Sequence, residues 1–400
     1  DEEINAVVKV MKSGVLSSFL GSWSPEFYGG KYVKALEKAF EKKYNVKYAL
    51  AVNSWTSGLI CAVGALDIEP GDEIILTPFT MCACASAIIH WNGIPVFVDI
   101  DEKTFNIDAS LIEDHITEKT KAIMAVDIFG HPCEISKIMR IAKKHNLKVI
   151  SDSAQSPWSK NQDRVIGTQS DIGGYSLNYH KHIHTGEGGI IVTNDQNYYQ
   201  RMALIRNHAE AVVGGMGRKD LNNMIGYNFR MGEIEAAIGI EQLKKLEKIV
   251  KRKQKICERL SKGFNSLNGL ITPYVKKNNT HSFYIYPLKL DKEKITVTRE
   301  RIIQALVDEG IYEGLANGYA NLHLLPIFQE KIAYGKKSYP WNLTENGKKI
   351  SYKKGICPIA EKLHDESLIM FEVCLFELSD SDIDLIIKAF KKVWQNLDKL

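Results

Sequence analysis

The sequence predicts an α/β protein: a three-layer α/β/α large domain around a mostly parallel mixed sheet, followed by a smaller C-terminal α+β domain. Three observations carry this. From residue 48 onward short apolar runs alternate with amphipathic ones, the pattern of strands buried on both faces and covered by helices. Near residue 233 the texture changes to one long charged helix. The length of 400 residues favours two structural units, which we place at residues 1–250 and 251–400.

Residues 31–44 carry apolar groups at helical spacing. Tyr48–Val52 reads as a strand and Ser57–Leu66 as a helix, closed by the turn Glu69-Pro-Gly-Asp72. Strand Glu73–Leu76, a helix over 80–91 and strand Pro95–Ile100 follow. Then come strand Ala122–Ile128, helix Glu134–His145 and strand Leu147–Ser151, with a further strand at Ile190–Thr193. The long helix runs from Glu233 to about Leu260. His281–Leu290 reads as a strand, and Ser379–Leu397 as a terminal helix capped by Ser379 or Ser381. Residues 314–356, rich in Gly, Asn, Tyr and Pro, read as an irregular excursion over a site.

Composition narrows the function. Hydrophobic content of 44% and charged content of 25% are those of an ordinary globular protein. Net charge is +4, with Lys and Arg interspersed among Glu and Asp, so no nucleic-acid partner is expected. The densest cationic run, Lys251-Arg-Lys-Gln-Lys255, reads as a solvated helix face. The seven cysteines show no metal or cluster spacing, which predicts no metal and reduced thiols in a cytoplasmic protein. No apolar run approaches the ~18 residues of a membrane span, and Asp1-Glu-Glu-Ile does not open a secretory leader.

In open α/β sheets ligands bind beyond the carboxyl ends of the strands, and three segments fall there. In Asn53-Ser-Trp-Thr-Ser-Gly58, hydroxyls and free N–H groups at a helix start make an anion site. Thr56 or Ser57 acting as a simple cap fits the same residues. In Ser151-Asp-Ser-Ala-Gln155 the carboxylate of Asp152 is either another cap or a catalytic group. Lys181 stands in an apolar and aromatic stretch, five residues after Ser176. A lysine is by default a solvated surface group, but burial here would lower its pKa and favour the neutral amine that forms an imine.

Ser176-x-x-x-x-Lys181-x-x-x-x-Gly-Glu-Gly-Gly189 resembles the signature of the DegT/DnrJ/EryC1/StrS sugar aminotransferases, pyridoxal-phosphate (PLP) enzymes of the aspartate-aminotransferase fold, fold type I. Gly71-Asp-Glu-Ile-Ile-Leu-Thr-Pro-Phe-Thr80, Pro95-Val-Phe-Val-Asp-Ile-Asp101, Asp152-Ser-Ala-Gln155 and Gly226-Tyr-Asn-Phe-Arg-Met231 follow the family's order. The resemblance implies that Lys181 is the Schiff-base and proton-moving lysine. It implies that Asp152 pairs with the pyridinium nitrogen, Gln155 contacts the ring's 3-oxygen, and Thr56, Ser57 and Ser176 bind the phosphate. Asn228 matches a residue that reaches the neighbouring subunit's phosphate, which implies a homodimer with shared sites. Arg230 beside it meets a donor carboxylate or nucleotide phosphate, or forms a structural ion pair.

The resemblance further implies amino transfer, with L-glutamate and 2-oxoglutarate as the donor pair, to a nucleotide-linked keto-sugar in surface-polysaccharide or natural-product biosynthesis. Dehydration of a keto-sugar and a non-catalytic regulator on the same fold are the alternatives. Two departures stand out: Trp55 replaces the family's glycine, and Met81 occupies the position of the aromatic residue that stacks on the cofactor, where a thioether can also pack. His208, His323, Tyr319 and Trp341 are candidate sugar-pocket residues.

Overall fold

A computed structural model describes residues 1–217 and 224–400. Its strands begin with β1 (Tyr48–Val52), β2 (Glu73–Leu76), β3 (Ile94–Phe97), β4 (Thr120–Val126) and β5 (Lys148–Asp152). A small hairpin, β6 (Lys160–Asn161) and β7 (Arg164–Val165), precedes β8 (Ile172–Ser176) and β9 (Gly189–Thr193). The main sheet has the order β1-β9-β8-β5-β4-β2-β3. β3, β2, β4, β5 and β8 run parallel, whereas β9 is antiparallel to both its neighbours, β8 and β1. The predicted mostly parallel mixed sheet is what forms.

Alternate residues of each strand enter different cores, as the pleat requires. On one face Leu50, Val52, Met124 and Ile191 pack under α3 (Trp55–Ala65), α4 (Ala83–His90) and α6 (Gln196–Arg206). On the other, Ala49, Ala51, Ile190 and Val192 meet α2 (Lys31–Tyr44), while Ile123, Ala125 and Val149 meet α5 (Ile135–Lys144). α1 (Glu2–Ser13) lies outside, against the long helix. β1 is an edge strand, and a buried ion pair covers it. Glu37 on α2 accepts from the Ala51 N–H at 2.9 Å, and Arg206 donates to Glu37 at 2.7 Å and to the Ala51 carbonyl at 2.9 Å. The outward N–H and C=O of Ala51 are thus satisfied within the chain, which blunts this edge as a template for another strand.

After the single turn α7 (Ala209–Val212), helix α8 runs from Glu233 to Phe264 and joins the two sheets. Its early buried residues, Leu243 to Val250, pack with α2, and Ile256 to Phe264 enter the core of the second sheet. Residue 250 therefore lies inside a continuous helix. That second sheet is antiparallel, in the order β10 (Leu270–Ile271), β11 (Tyr286–Leu290), β13 (Leu368–Phe371), β12 (Leu315–Ala316), backed by α9 (Arg299–Asp308) and α13 (Asp380–Trp394). Ser379 caps α13 in a capping box with Asp382. The expected excursion over 314–356 contains only the short α10 (Pro326–Gln329) and α11 (Glu345–Lys349) besides β12 and single 3-10 turns, and α12 (Pro358–Lys362) follows it. Its Phe328, Trp341 and Tyr352 pack into the core of the large sheet. No helix among the described residues is long and apolar enough to cross a membrane.

Four local expectations change. The helix expected from Ser57 begins at Trp55, because the Ser54 side chain, not Thr56 or Ser57, accepts from the Ser57 N–H as the cap. The helix expected from residue 80 begins at Ala83, with the Met81 sulfur accepting from the Ala83 N–H. The strand expected from His281 begins only at Tyr286. Before it, Ser282 and Ile285 donate instead to the carbonyls of Gly130 and Phe129, and Phe283 takes a left-handed φ of 55°. In the cationic run, Lys253 turns inward and donates to the carbonyls of Val373 and Phe376; the run is not wholly a solvated face.

Candidate active site

The carboxyl ends of β1, β2, β4, β5 and β8 open onto one cavity, the position that parallel α/β topology dictates. After β1 come Ser54 and Thr56; after β2, Thr80 and Met81; from β5, Asp152, Ala154 and Gln155; from β8, Ser176, Asn178 and Lys181. Because β9 runs the other way, its approach (Glu187 and Gly188) returns to the same rim, and Tyr319 closes the wall from the excursion. The structure thus brings Thr56, Met81, Asp152, Gln155, Ser176 and Lys181 together, as expected.

Lys181 is mostly buried, with its Nζ 4.0 Å from the centroid of the Tyr284 ring. Burial lowers its pKa to about 8, against a smaller upward pull from the Asp152 carboxylate. The flanking histidines are held neutral: burial takes His180 down to about 4, with the Lys181 charge adding, and takes His182 to about 4. His182 bonds the Ser282 carbonyl at 2.8 Å. Asp152 is 5% exposed and contacted at both oxygens. Its Oδ1 accepts from the Trp55 indole N–H at 2.7 Å and the Ala154 N–H at 3.1 Å, and its Oδ2 from the Cys84 thiol at 3.0 Å. Gln155 is anchored at both ends, Oε1 accepting from the Phe129 N–H at 2.7 Å and Nε2 donating to the Tyr319 hydroxyl at 2.9 Å.

Four expected residues do not line the cavity: Ser57, His208, His323 and Trp341. The Ser57 hydroxyl donates to Asn53 Oδ1 at 2.7 Å and lies 3.0 Å from the Ser54 hydroxyl of the cavity wall. Asn228, expected at a neighbouring subunit's site, is exposed, off the cavity of its own chain, and accepts from Arg230 Nε at 2.7 Å. His208 sits on the rim of α7, 3.9 Å from Glu210. His323 is fully buried and bonded to Glu361 at 2.8 Å, a core pair rather than a pocket residue. Trp341 is equally buried and donates to the Tyr352 hydroxyl. Asn178, Glu187, Cys84 and Tyr284 were not singled out beforehand. Asn178 and Glu187 were within reach, since they flank Lys181 and bond each other at 2.8 Å.

The family profile of the DegT/DnrJ/EryC1/StrS aminotransferases matches residues 1–370. The chain belongs to that family. The spore coat polysaccharide biosynthesis protein SpsC of Bacillus subtilis is 32% identical over 99% of this chain and 95% of its own. A GDP-perosamine synthase of Escherichia coli O157:H7 is 36% identical over 76% of this chain and 80% of its own. Among solved structures, an aminotransferase from Psychrobacter cryohalolentis superposes with a TM-score of 0.83, at 28% identity, covering 99% of this chain and 97% of that one. The chain is a PLP-dependent sugar aminotransferase of fold type I.

The DegT/DnrJ/EryC1/StrS cofactor fits the donor set present. The cavity combines a buried amine, a buried carboxylate, three hydroxyls near the start of α3, and Asn178 Oδ1, a buried acceptor that the protein leaves without a partner. Capture of PLP by the apoprotein needs the neutral amine, so its rate should rise with pH through a midpoint near 8 rather than lysine's ordinary 10.5. Stopped-flow mixing across pH 6 to 10.5 measures it; a rate still climbing steeply above pH 9.5 would contradict the buried setting. The sign carries to stability. An amine with a lowered folded pKa penalises the fold below about 8, and the apoprotein gains stability as pH rises from there toward 10.5.

Proposed function

We propose that this sugar aminotransferase moves an amino group from L-glutamate to a nucleotide-linked keto-sugar in surface-polysaccharide or amino-sugar natural-product biosynthesis. We further propose that it works in the cytoplasm as a homodimer with shared sites. The observation that carries the reading is the lysine of lowered pKa facing a buried carboxylate in one cavity at the strand ends. The names of the relatives, a GDP-perosamine synthase and a coat-polysaccharide protein, support a nucleotide-linked sugar.

When bound, PLP supplies an aldehyde that condenses with amines and a ring that takes up the electron pair released at carbon. The protein's part is to place and move protons. Lys181 would offer a neutral amine and move a proton at its Nζ within the cavity. Asp152 provides the negative charge against the ring nitrogen, held by its neighbours so that it needs no reorganisation. Gln155, fixed between Phe129 and Tyr319, keeps one amide N–H for the ring's 3-oxygen. Thr56, Ser54 and Ser176 supply hydroxyls for the phosphate beside the N-terminus of α3, where the dipole favours an anion. Met81, on the cavity wall, would offer its thioether to a face of the ring.

The dimer reading rests on two features. Asn228 and Arg230 do not line the cavity of their own chain, and a stripe of exposed apolar side chains runs along α1 (Ile4, Val8, Met11) and onward to Val15, Leu16 and Leu20. Exposed apolar side chains concentrated on one segment support an interface there. The reaction is tested by incubating the PLP-loaded protein with L-glutamate and a panel of nucleotide-linked keto-sugars. Mass spectrometry should show a product with one nitrogen in place of one oxygen, matched by 2-oxoglutarate. Loss of a hydroxyl without gain of nitrogen would overturn transamination in favour of dehydration.

A further inference from the structure

Trp55 stands where a glycine would leave the same loop open, and the structure has built a slot for it. The indole is 95% buried, lying between α3 and β8. A Cβ added at Gly174 on β8 would sit 1.9 Å from Trp55 Cζ3, and one at Gly58 on α3 would sit 2.6 Å from Cε3. Trp55 is one of the residues that line the cavity, and its ring reaches between these two glycines and ends with its N–H on Asp152 Oδ1 at 2.7 Å. That oxygen also takes the Ala154 N–H. Oδ2 carries only the Cys84 thiol, a weak donor. Burial and the neighbouring Asp152 charge push the thiol pKa well up, so Cys84 stays a donor and adds no charge.

Two full-strength donors on one oxygen and a weak one on the other make the carboxylate asymmetric. We propose that Trp55 is a positioning residue: its indole N–H fixes the Asp152 carboxylate and leaves Oδ2 as the oxygen that accepts from the ring nitrogen of PLP. This rests on the reading of Asp152 as the ring-nitrogen partner. The role proposed for Trp55 runs through Asp152, whose carboxylate its N–H holds.

The test compares PLP with deazapyridoxal phosphate, in which C–H replaces the ring nitrogen, by equilibrium binding to the apoprotein. Two variants are used. Trp55→Phe removes the N–H and part of the ring, and Trp55→β-(3-benzothienyl)alanine replaces the N–H by sulfur in the same bicyclic outline, so the slot stays filled. Wild type should bind PLP more tightly than the deaza analogue. Each variant should lose roughly tenfold in PLP affinity, the size of a charge-assisted hydrogen bond acting through a neighbour, with its deaza affinity unchanged. The pH midpoint of the bound cofactor's visible absorption should shift in the variants as well. Equal losses for both ligands would mean that Trp55 only packs, and would overturn the proposal. If wild type itself fails to distinguish the two ligands, the role of Asp152 falls, and that of Trp55 with it. If Trp55→Phe does not fold, the isosteric variant decides alone.

Discussion

Lys181→Ala is expected to abolish transamination, with a loss of about 10⁴-fold or more, because the proposed mechanism gives this one side chain the roles of both nucleophile and proton carrier. The variant should still fold, since the Nζ is held by a ring face and burial rather than by a hydrogen-bond network the core depends on. It should bind PLP through the phosphate and ring contacts alone. Borohydride reduction of wild type should then fix the cofactor to a peptide containing residue 181, and reduction of the variant should fix none. Single-turnover formation of 2-oxoglutarate from glutamate reads the chemical step without the sugar. A variant that retains a substantial fraction of this rate would remove Lys181 from the chemistry.

Asp152→Asn keeps the shape of the side chain and removes its charge. The amide oxygen can still accept from the Trp55 N–H, so the slot and the fold should survive. In the role proposed for Asp152, what is lost is the negative charge set against a protonated ring nitrogen, and the expected loss in turnover is about 10²–10⁴-fold. The loss should fall on kcat, while KM for glutamate moves little, because the interaction strengthens as charge develops on the ring. A drop confined to KM would assign Asp152 to substrate binding instead.

The parts of this site that were legible in the sequence are those a short stretch of chain defines alone. Lys181, Ser176 and the Gly186–Gly189 turn lie within one strand–loop–strand segment, and Asp152 and Gln155 lie together at the end of β5. The alternation of strands and helices also reports directly on burial, which is why β1 and β2 fall where periodicity places them. One miss has a clear physical cause. His323 lies in the excursion expected over the site, yet a neutral imidazole is equally at home bonded to a carboxylate in a core, as His323 is to Glu361. Whether a histidine faces a cavity or a carboxylate is decided by tertiary packing. Tyr284 beneath Lys181 and Cys84 beside Asp152 likewise meet their partners across distant segments, and no spacing rule connects them.

The slot that holds the indole also limits what could replace it. Gly174 has no room for a side chain whatever stands at position 55, because a Cβ there would meet the Ile190 carbonyl at 2.5 Å as well as the Trp55 ring at 1.9 Å. A smaller residue at position 55 therefore opens a void that position 174 cannot refill, so the indole is held in place by packing as well as by its N–H.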